Sequence, residues 1–435
     1  MKIHFIGIGG IGVSGLANVY LQKGDTVQGS DSEQSEITDW LLQQGADVLI
    51  GHKSDNISTD IDLLIYSEAV GEDNVELVRA KELGIKCLSG AEALAEFAKD
   101  YFLIAVSGMH GKTTTASMVA KVLTDTGLDP TYIIGTKQGS HLGKSKYLVI
   151  EADDYKSKLL NYYPDILVLT NIEEEHMDWF KDLDHIMEVF KKYISQVKKI
   201  LIYNSDDKNI ASLILHGREV LTVEKREYSL LAKAYDREVS PVIEELRRVL
   251  KVPGEHNVSN ALAALEVARA LGIDEGKAIE VLRDFKGAWR RFDEKISNRG
   301  VIVVSDYAHH PTEIKATLKA GREKYPDKKI WCVFQPHQYQ RTHYLFDDFV
   351  KVFQEAISEK WVDNLFITDI YDVAGRENKE IKQQVSAQKL ADAIGVGVGY
   401  LEKDKITEYL QQKVGDSEVI IIMGAGNIYK LVDEF

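Results

Sequence analysis

Gly108-Met109-His110-Gly111-Lys112-Thr113-Thr114 is the segment whose residue types and spacing most directly specify a chemistry. The apolar run Phe102-Leu103-Ile104-Ala105-Val106 leads into it, and a helical pattern follows over 112–126. Backbone N–H groups in such a loop, together with the positive end of the helix, cradle phosphates. A lysine in the place of Lys112 reaches the terminal phosphates, and a hydroxyl in the place of Thr113 reaches Mg2+. The longer form of this motif requires a glycine at position 106, which is Val106, so the loop is a shorter variant. A surface turn can hold Gly-Lys-Thr by chance, but it needs no strand before it and no helix after it. The segment predicts a nucleoside triphosphate site.

Phosphoryl transfer spreads charge that a metal ion neutralises, so carboxylates belong nearby. Lys146-Tyr147-Leu148-Val149-Ile150-Glu151 reads as an apolar strand ending in a carboxylate, with Asp153 and Asp154 just beyond. Glu151 is predicted to join Thr113 at the metal; the plainer alternative is a solvated carboxylate at a strand end. A further strand over 166–170 runs into Asn171-Ile172-Glu173-Glu174-Glu175-His176-Met177-Asp178. A neutral imidazole beside carboxylates suits a second metal ligand. Taken alone, His176 is as well explained as a capping or surface histidine. Its place after a sheet strand is what makes the ligand reading competitive.

Near the N-terminus, Gly7-Ile8-Gly9-Gly10-Ile11-Gly12 also follows a strand and precedes a helix, and Asp31 closes the next strand. That pattern matches a dinucleotide fingerprint and raises an NAD-dependent oxidoreductase as a rival. The glycines, however, explain any diphosphate at a helix N-terminus. A dehydrogenase has no need of a second phosphate loop at 108–114, whereas an enzyme joining a nucleotide-bearing substrate to ATP chemistry uses both. Further on, Arg290, Arg291, His309, His310, Lys315, His337 and Arg341 supply cations and bases. The planar fork of arginine fits carboxylate and phosphate. Histidine can accept a proton from an attacking amine or stabilise a tetrahedral oxyanion. Each of these histidines, taken singly, is also explained by packing or capping.

These residues must be held by elements, and the pattern of the chain says which. Short β-branched runs alternate with helical stretches throughout, as in parallel sheets covered by helices. At 435 residues the chain exceeds what one core usually holds, and three α/β blocks separate. Residues 1–95 read as a Rossmann-like domain, with strands over 2–8, 26–31 and 61–66 and a helix over 13–23. Residues 96–288 read as a P-loop ATPase-type domain, with strands over 102–106, 147–151, 166–170 and 199–203 and a closing helix over 257–272. Residues 289–435 read as a second Rossmann-like domain, with strands over 301–305, 330–334, 365–369 and 419–423. Asp306, His309, His337 and Arg341 fall past the ends of those strands, where open α/β sheets bind ligands. The stretch 204–250 mixes charged, helix-like segments with no clear motif.

Composition narrows the partners. Hydrophobic residues make up 44% and charged residues 28%, the balance of an ordinary globular protein. The formal net charge of -15, with no block of Lys and Arg, argues against nucleic acid. Cys87 and Cys332 are too few for a disulfide framework, and no Cys-x-x-Cys suggests zinc. The first apolar run is broken early by glycines, unlike a signal peptide, and no apolar stretch approaches the ~20 residues that span a bilayer. The expectation is a soluble chain in a reducing cytoplasm, without membrane contact; an oligomer is compatible with the pattern.

Taken in order, these motifs resemble those of the Mur ligase family over nearly all of the chain, least over 204–250. The family's N-terminal Gly-rich motif corresponds to 7–15, including Ser14 and Gly15, and its Gly-Thr-His-Gly-Lys-Thr-Thr loop to 108–114. Its Glu-Ala-Asp segment corresponds to 151–153 and its Thr-Asn-Ile-Glu-x-[Asp/Glu]-His segment to 170–176. Gly254, His256, Asn257 and Asn260 resemble the adenine-side motif. Arg290-Arg291-Phe292, the segment 306–313, and Gln335-Pro336-His337 with Arg341-Thr342 complete the set.

The resemblance implies three domains: one for a UDP-sugar, one for ATP, and a mobile C-terminal one. It implies that ATP phosphorylates the lactyl carboxylate of UDP-N-acetylmuramate and that the amine of L-alanine then displaces phosphate, a step of peptidoglycan precursor synthesis. By position, Gly108, Met109, His110, Gly111, Lys112, Thr113 and Thr114 would hold ATP, with Lys112 on the terminal phosphates. Thr113, Glu151 and His176 would serve two Mg2+ sites. His256 and Asn257 would approach adenine, Arg291 the nucleotide, and Asp306 its ribose. Gly9, Gly10, Ile11, Gly12, Ser14, Asp31 and Ser67 would bind the UDP-sugar. Tyr307, His309, His337 and Arg341 would surround the amino acid and the acyl phosphate.

Four positions depart from the family pattern. Met109 replaces the loop threonine, a change that a site built on backbone groups tolerates. Gln338 stands where some members carry arginine, so recognition of the amino-acid carboxylate or of the phosphate is expected to be shared differently, and Glu68 stands where a small serine is frequent, a change that bears on uridine or sugar binding. Lys191 falls about fifteen residues beyond His176, where other Mur ligases carry a carbamylated lysine; this branch generally needs none, and Lys191 reads as a surface lysine. The nearest rival is the recycling branch, which attaches a tripeptide to the same UDP-sugar but carries different Gly and third-block motifs. A folylpolyglutamate synthase would lack residues 1–95 as a UDP-binding unit, and a non-catalytic scaffold would be expected to have lost Lys112, Glu151 or His176.

Overall fold

The computed structural model describes residues 1–216, 223–231, 240–373 and 379–435. Three sheets follow one another along the chain. The first holds β1 (Lys2–Ile6), β2 (Thr26–Asp31), β3 (Asp47–Ile50), β4 (Leu63–Tyr66) and β5 (Lys86–Ser89) in the order β3-β2-β1-β4-β5. All of its pairings are parallel. The chain runs outward to both sides of β1, so the switch point of the sheet lies at the carboxyl end of β1. There β1 gives way to the Gly-rich turn at Gly7 (φ +74°), one residue past Ile6 and earlier than the apolar run to residue 8 suggests.

The second sheet holds β6 (Phe102–Ser107), β7 (Thr131–Ile133), β8 (Ser140–His141), β9 (Tyr147–Glu151), β10 (Ile166–Leu169), β11 (Ile200–Asn204) and β12 (Glu224–Tyr228). Its order is β12-β11-β10-β6-β9-β7-β8, parallel except for the β7–β8 hairpin. Here β6 is the switch strand. The third sheet holds β13 (Asp293–Ile296), β14 (Ile302–Asp306), β15 (Ile330–Phe334), β16 (Asn364–Ile367), β17 (Val398–Tyr400) and β18 (Val419–Met423), in the order β13-β14-β18-β15-β16-β17. Only β13 runs antiparallel. Central strands such as β6, β10 and β18 are continuous apolar runs because parallel sheets are covered on both faces. Ile104, Leu167, Val168, Ile421 and Ile422 are accordingly fully buried.

The contacts divide the described chain into two compact units. The first comprises Met1–Glu173, Leu183–Ser240 and Asn260–Leu282, and the second Glu174–Asp182, Pro241–Ser259 and Arg283–Phe435. The first two sheets therefore share one unit. Helix α1 (Ile11–Gln22), from the first sheet, packs on the β7–β8 hairpin of the second. A side chain built on Gly15 would meet Ile133 and Ser140 at 3.2 and 3.5 Å. Asn18 donates to the Ser140 hydroxyl at 3.0 Å, and the Leu142 amide donates to Gln22 at 2.9 Å. Glu36, which opens α2 (Glu36–Gln44), pairs with Lys137 at 2.5 Å.

Within 204–250, helices Lys208–His216 and Pro241–Val249 flank β12. The rest of that helix-like expectation, at 217–222 and 232–239, lies outside the described residues. No helix among the described residues is long and apolar enough to cross a membrane.

One buried charge lies beneath the first sheet's switch point. Glu76, on the first turn of α3 (Val75–Glu82), is fully buried. Burial alone would raise its pKa; the nearby His4 imidazole and hydrogen bonds from Ser30 and Asn56 override that and hold it at about 2. A lowered folded value means the carboxylate stabilises the fold fully above its ordinary pKa of 4.5, and that this is lost as pH falls through the folded value. We expect stability measured by urea unfolding to fall between pH 4.5 and 2 by roughly 3 kcal/mol more in the native chain than in Glu76→Gln. Equal slopes in the two proteins would contradict the assignment.

Candidate active site

The loop at 108–114 joins β6 to α5 (Lys112–Asp125) in the first unit. Two of its glycines are obligatory for space as well as backbone angle. A side chain on Gly108 (φ +132°) would run into Thr170 and the Asn171 backbone, and one on Gly111 (φ +80°) into the Asn260 amide. The next strand braces the loop from below. The Met109 amide donates to the Asn171 carbonyl at 3.1 Å, the His110 amide to Asn171 Oδ1 at 2.8 Å, and Thr170 Oγ1 to the His110 carbonyl at 2.6 Å. The Met109 side chain is buried. His110 Nε2 lies 2.5 Å from a Glu173 oxygen.

Lys112 bends back over this loop. Its ammonium donates to the carbonyls of Gly108 and Met109 at 2.6 and 3.1 Å and to Asp154 Oδ1 at 2.6 Å. Burial would lower its pKa, but the carboxylates of Asp154, Asp153 and Glu151 raise it above the ordinary value, so the side chain is a fixed cation. Thr113 donates to both Glu151 oxygens at 3.0 Å, bringing together the two residues expected at the metal. Thr114 is buried just inside α5, and Thr115 donates to Asn260 Oδ1 at 3.1 Å. Asn260, read from sequence with the adenine-side residues, thus touches the phosphate loop. Asp154 was legible only as the second of two carboxylates after Glu151; its role as the partner of Lys112 was not.

The N-terminal loop lies in the same unit. The Gly9 amide donates to Asp31 Oδ2 at 2.8 Å, and the Gly7 and Ile8 amides share the Ser30 carbonyl at 2.8 and 3.0 Å. Helix α1 starts after Gly10 with no side-chain cap, and open space lies over Gly12. Such a helix end suits an anion. Ser67, just past β4, lies against Gly7 and Gly10, whereas Ser14 is buried in the first turns of α1. Side chains built on Gly135 would meet Glu151 at 3.0 Å and Ile11 at 3.6 Å, and the Gly135 amide donates to Glu151 at 3.1 Å. The two phosphate-type loops therefore approach each other across Gly135. Glu68 accepts from the Ala91 amide at 3.0 Å, at the start of α4 (Gly90–Ala98), and lies 4.0 Å from Lys158.

The second unit gathers the remaining candidates. Arg341 donates through Nε and Nη2 to one Glu175 oxygen at 3.0 and 2.9 Å, and its Nη1 lies 3.0 Å from His337 Nδ1. Both members of the ion pair are buried. Burial opposes the Glu175 charge, yet Arg341, His176, His310 and His309 hold the carboxyl well below its usual pKa. His176 (φ +55°) lines a small cavity with Glu175, Asp178, Gln338, Arg341 and Tyr344. Rings run in contact from Tyr307 to His309 to His337 to Tyr371, with centroids 5.4 to 6.0 Å apart.

Partners fix the proton positions of two of these histidines in their neutral forms. His337 Nδ1 faces a guanidinium, which only donates, so its proton sits on Nε2. His309 Nδ1 faces the Tyr307 carbonyl at 3.0 Å and Glu313 at 3.1 Å, both acceptors, so its Nε2 is left as a base. Asp306 is buried and accepts from the Phe292 and Ala308 amides and the Thr317 hydroxyl, so here it braces the 290–292 segment. Arg291 lies over the Tyr307 ring at 4.9 Å and 3.6 Å from Glu313. His256, with its pKa lowered to about 4 by burial and by Arg291, is neutral; Asn257 donates to the Pro253 carbonyl at 2.7 Å. Lys191 is exposed on the helix Leu183–Ile194, as read from sequence.

Comparison with known proteins finds three successive matches along the chain. Residues 2–102 match the model for the Mur ligase family, catalytic domain; 106–268 that for the Mur ligase middle domain; and 290–426 that for the Mur ligase, glutamate ligase domain. The chain is 39% identical to a UDP-N-acetylmuramate–L-alanine ligase of Acetivibrio thermocellus, over 100% of this chain and 95% of that one. It superposes with a TM-score of 0.80 on a UDP-N-acetylmuramate-alanine ligase of Thermotoga maritima, at 27% identity and covering 100% and 98% of the two chains. A murein peptide ligase of Psychrobacter arcticus shares the fold, with a TM-score of 0.74 at 24% identity over 100% and 97% of the chains.

Proposed function

The chain belongs to the Mur ligase family, and from that premise we propose that it joins L-alanine to the lactyl carboxylate of UDP-N-acetylmuramate through an acyl phosphate, ATP giving ADP in the first step and the amine displacing phosphate in the second. The observation that carries the reading is the approach of two phosphate-type loops within one unit, with Glu151 between them. A UDP-sugar at the Gly-rich turn and the uncapped N-terminus of α1 and ATP on the 108–114 loop meet there, which brings an acid and a phosphoryl donor together.

The residues divide the work. Lys112 donates to the transferring phosphoryl oxygens, and the N-terminus of α5 adds its backbone dipole. The Thr113 hydroxyl and the Glu151 carboxylate are hard oxygen donors that suit Mg2+. Bound there, Mg2+ would neutralise charge on the phosphoryl oxygens. On the second unit, Glu175 takes the fork of Arg341, so Arg341 acts on a carboxylate or phosphate through its charge and its remaining Nη2–H, and His309 Nε2 takes the proton of the attacking amine. The Nε2–H of His337 donates to the oxyanion that forms as the amine adds.

The test is ADP release with UDP-N-acetylmuramate present and the amine varied among L-alanine, L-serine, glycine and a murein tripeptide. We expect turnover to require both substrates and to be fastest with L-alanine. Glycine should lose on the order of tenfold in kcat/KM, the value of one buried methyl. Turnover with the tripeptide and not with alanine would instead assign the chain to the recycling reaction.

A further inference from the structure

Glu76 belongs to no motif, yet five groups close around its carboxylate. Oε1 accepts from Asn56 Nδ2 at 2.5 Å and from the Lys53 amide at 3.3 Å. Oε2 accepts from the Ser30 hydroxyl at 2.5 Å, lies 3.2 Å from His52 Nδ1, and lies 3.7 Å from His4 Nε2. The amide Nε2 of Gln28 donates to His4 Nδ1 at 2.9 Å, so the neutral His4 ring carries its proton on Nε2, toward Glu76. His52 Nδ1 faces the same carboxylate and so carries its proton there. Every group that surrounds the carboxylate is thus a donor.

These donors come from β1, from the last residues of β2, and from the segment that follows β3. Ser30 is the link to the loop. Its hydroxyl holds Glu76, while its carbonyl accepts from the Gly7 and Ile8 amides. The next residue, Asp31, accepts from the Gly9 amide with its side chain and from the Gly51 amide with its carbonyl. One buried charge therefore fixes the floor on which the Gly-rich loop rests. A neutral amide at this position would place an NH2 group against donors, leaving polar groups unsatisfied in a buried site.

We infer that Glu76 is a positioning residue for UDP-sugar binding, holding Ser30 and Asp31 so that the amides of the Gly-rich loop are set before the diphosphate arrives. The inference rests on the assignment of that loop to the UDP-sugar. It is tested by calorimetry on the full chain, titrating UDP-N-acetylmuramate and, separately, a non-hydrolysable ATP analogue. In Glu76→Gln the Kd and KM for UDP-N-acetylmuramate should rise about tenfold or more, with kcat at saturation and analogue affinity unchanged. Ser30→Ala keeps the backbone carbonyl and removes one donor, and should raise the same KM by less; it decides the matter if Glu76→Gln does not fold. Unchanged UDP-sugar affinity in a folded variant overturns the inference, as does an equal loss for both ligands. Failure of the native chain to bind UDP-N-acetylmuramate would instead remove the assignment of the loop itself.

Discussion

Replacing Lys112 with alanine is expected to lower turnover by on the order of 10^3-fold while leaving UDP-N-acetylmuramate binding intact. The ammonium is the cation of the phosphate loop, raised in pKa by Asp154, Asp153 and Glu151 and donating to the loop's own carbonyls and to Asp154. Its loss removes charge stabilisation that grows as the phosphoryl group transfers, so kcat falls more than nucleotide affinity. It also leaves Asp154 buried without its cation, which costs stability on its own account. Pairing Lys112→Ala with Asp154→Asn separates the two effects: the double variant should recover melting temperature and no activity. Stopped turnover together with lost UDP-sugar binding would mean that the two loops do not act separately.

The second large effect is expected at Glu175. Arg341 directs two of its nitrogens at a single Glu175 oxygen, and both side chains are buried. Removing one partner of a buried pair leaves the other charge uncompensated, at a cost of about 3–5 kcal/mol. Glu175→Ala should therefore destabilise the protein by that amount in urea unfolding. The double variant Glu175→Ala/Arg341→Met should return much of it, because no charge is then stranded. Activity should not return with stability, since Arg341 is also the guanidinium offered to the substrates. A double variant as unstable as the single one would show that the pair is not what holds this region.

The two glycine loops were legible because their chemistry leaves the sequence little freedom: a backbone that must approach a phosphate needs glycine, and glycine is visible. The apolar central strands were legible for a similar reason, since burial on both faces demands continuous Val, Ile and Leu. The strands that went unread, among them β3, β5, β13 and β17, sit at or toward sheet edges, where half the surface is wet and the pattern dissolves. Asp293-Glu294-Lys295-Ile296 is exposed at every position and pairs as a strand only because β14 offers it an edge. Likewise the segment around His176 was read for its imidazole, while the buried Glu175 beside it holds Arg341. Partnerships such as Lys112 with Asp154, or Glu76 with Ser30, depend on how distant strands align, and spacing along the chain does not encode that. The division into two compact units, with the first two sheets in one of them, is a property of the same kind.

Gly15 shows that a single glycine-rich motif can carry two unrelated messages. The early glycines of 7–15 serve a ligand, but Gly15 is small so that α1 can lie against Ile133 and Ser140 of the next sheet. Asn18, Gln22 and Glu36 extend the same seam to Ser140, Leu142 and Lys137. The first hundred residues are therefore not a free cassette. In recombination between relatives, a graft of this segment would have to carry the matching 131–142 stretch with it, so the two are inherited as one module although some hundred residues separate them in the gene.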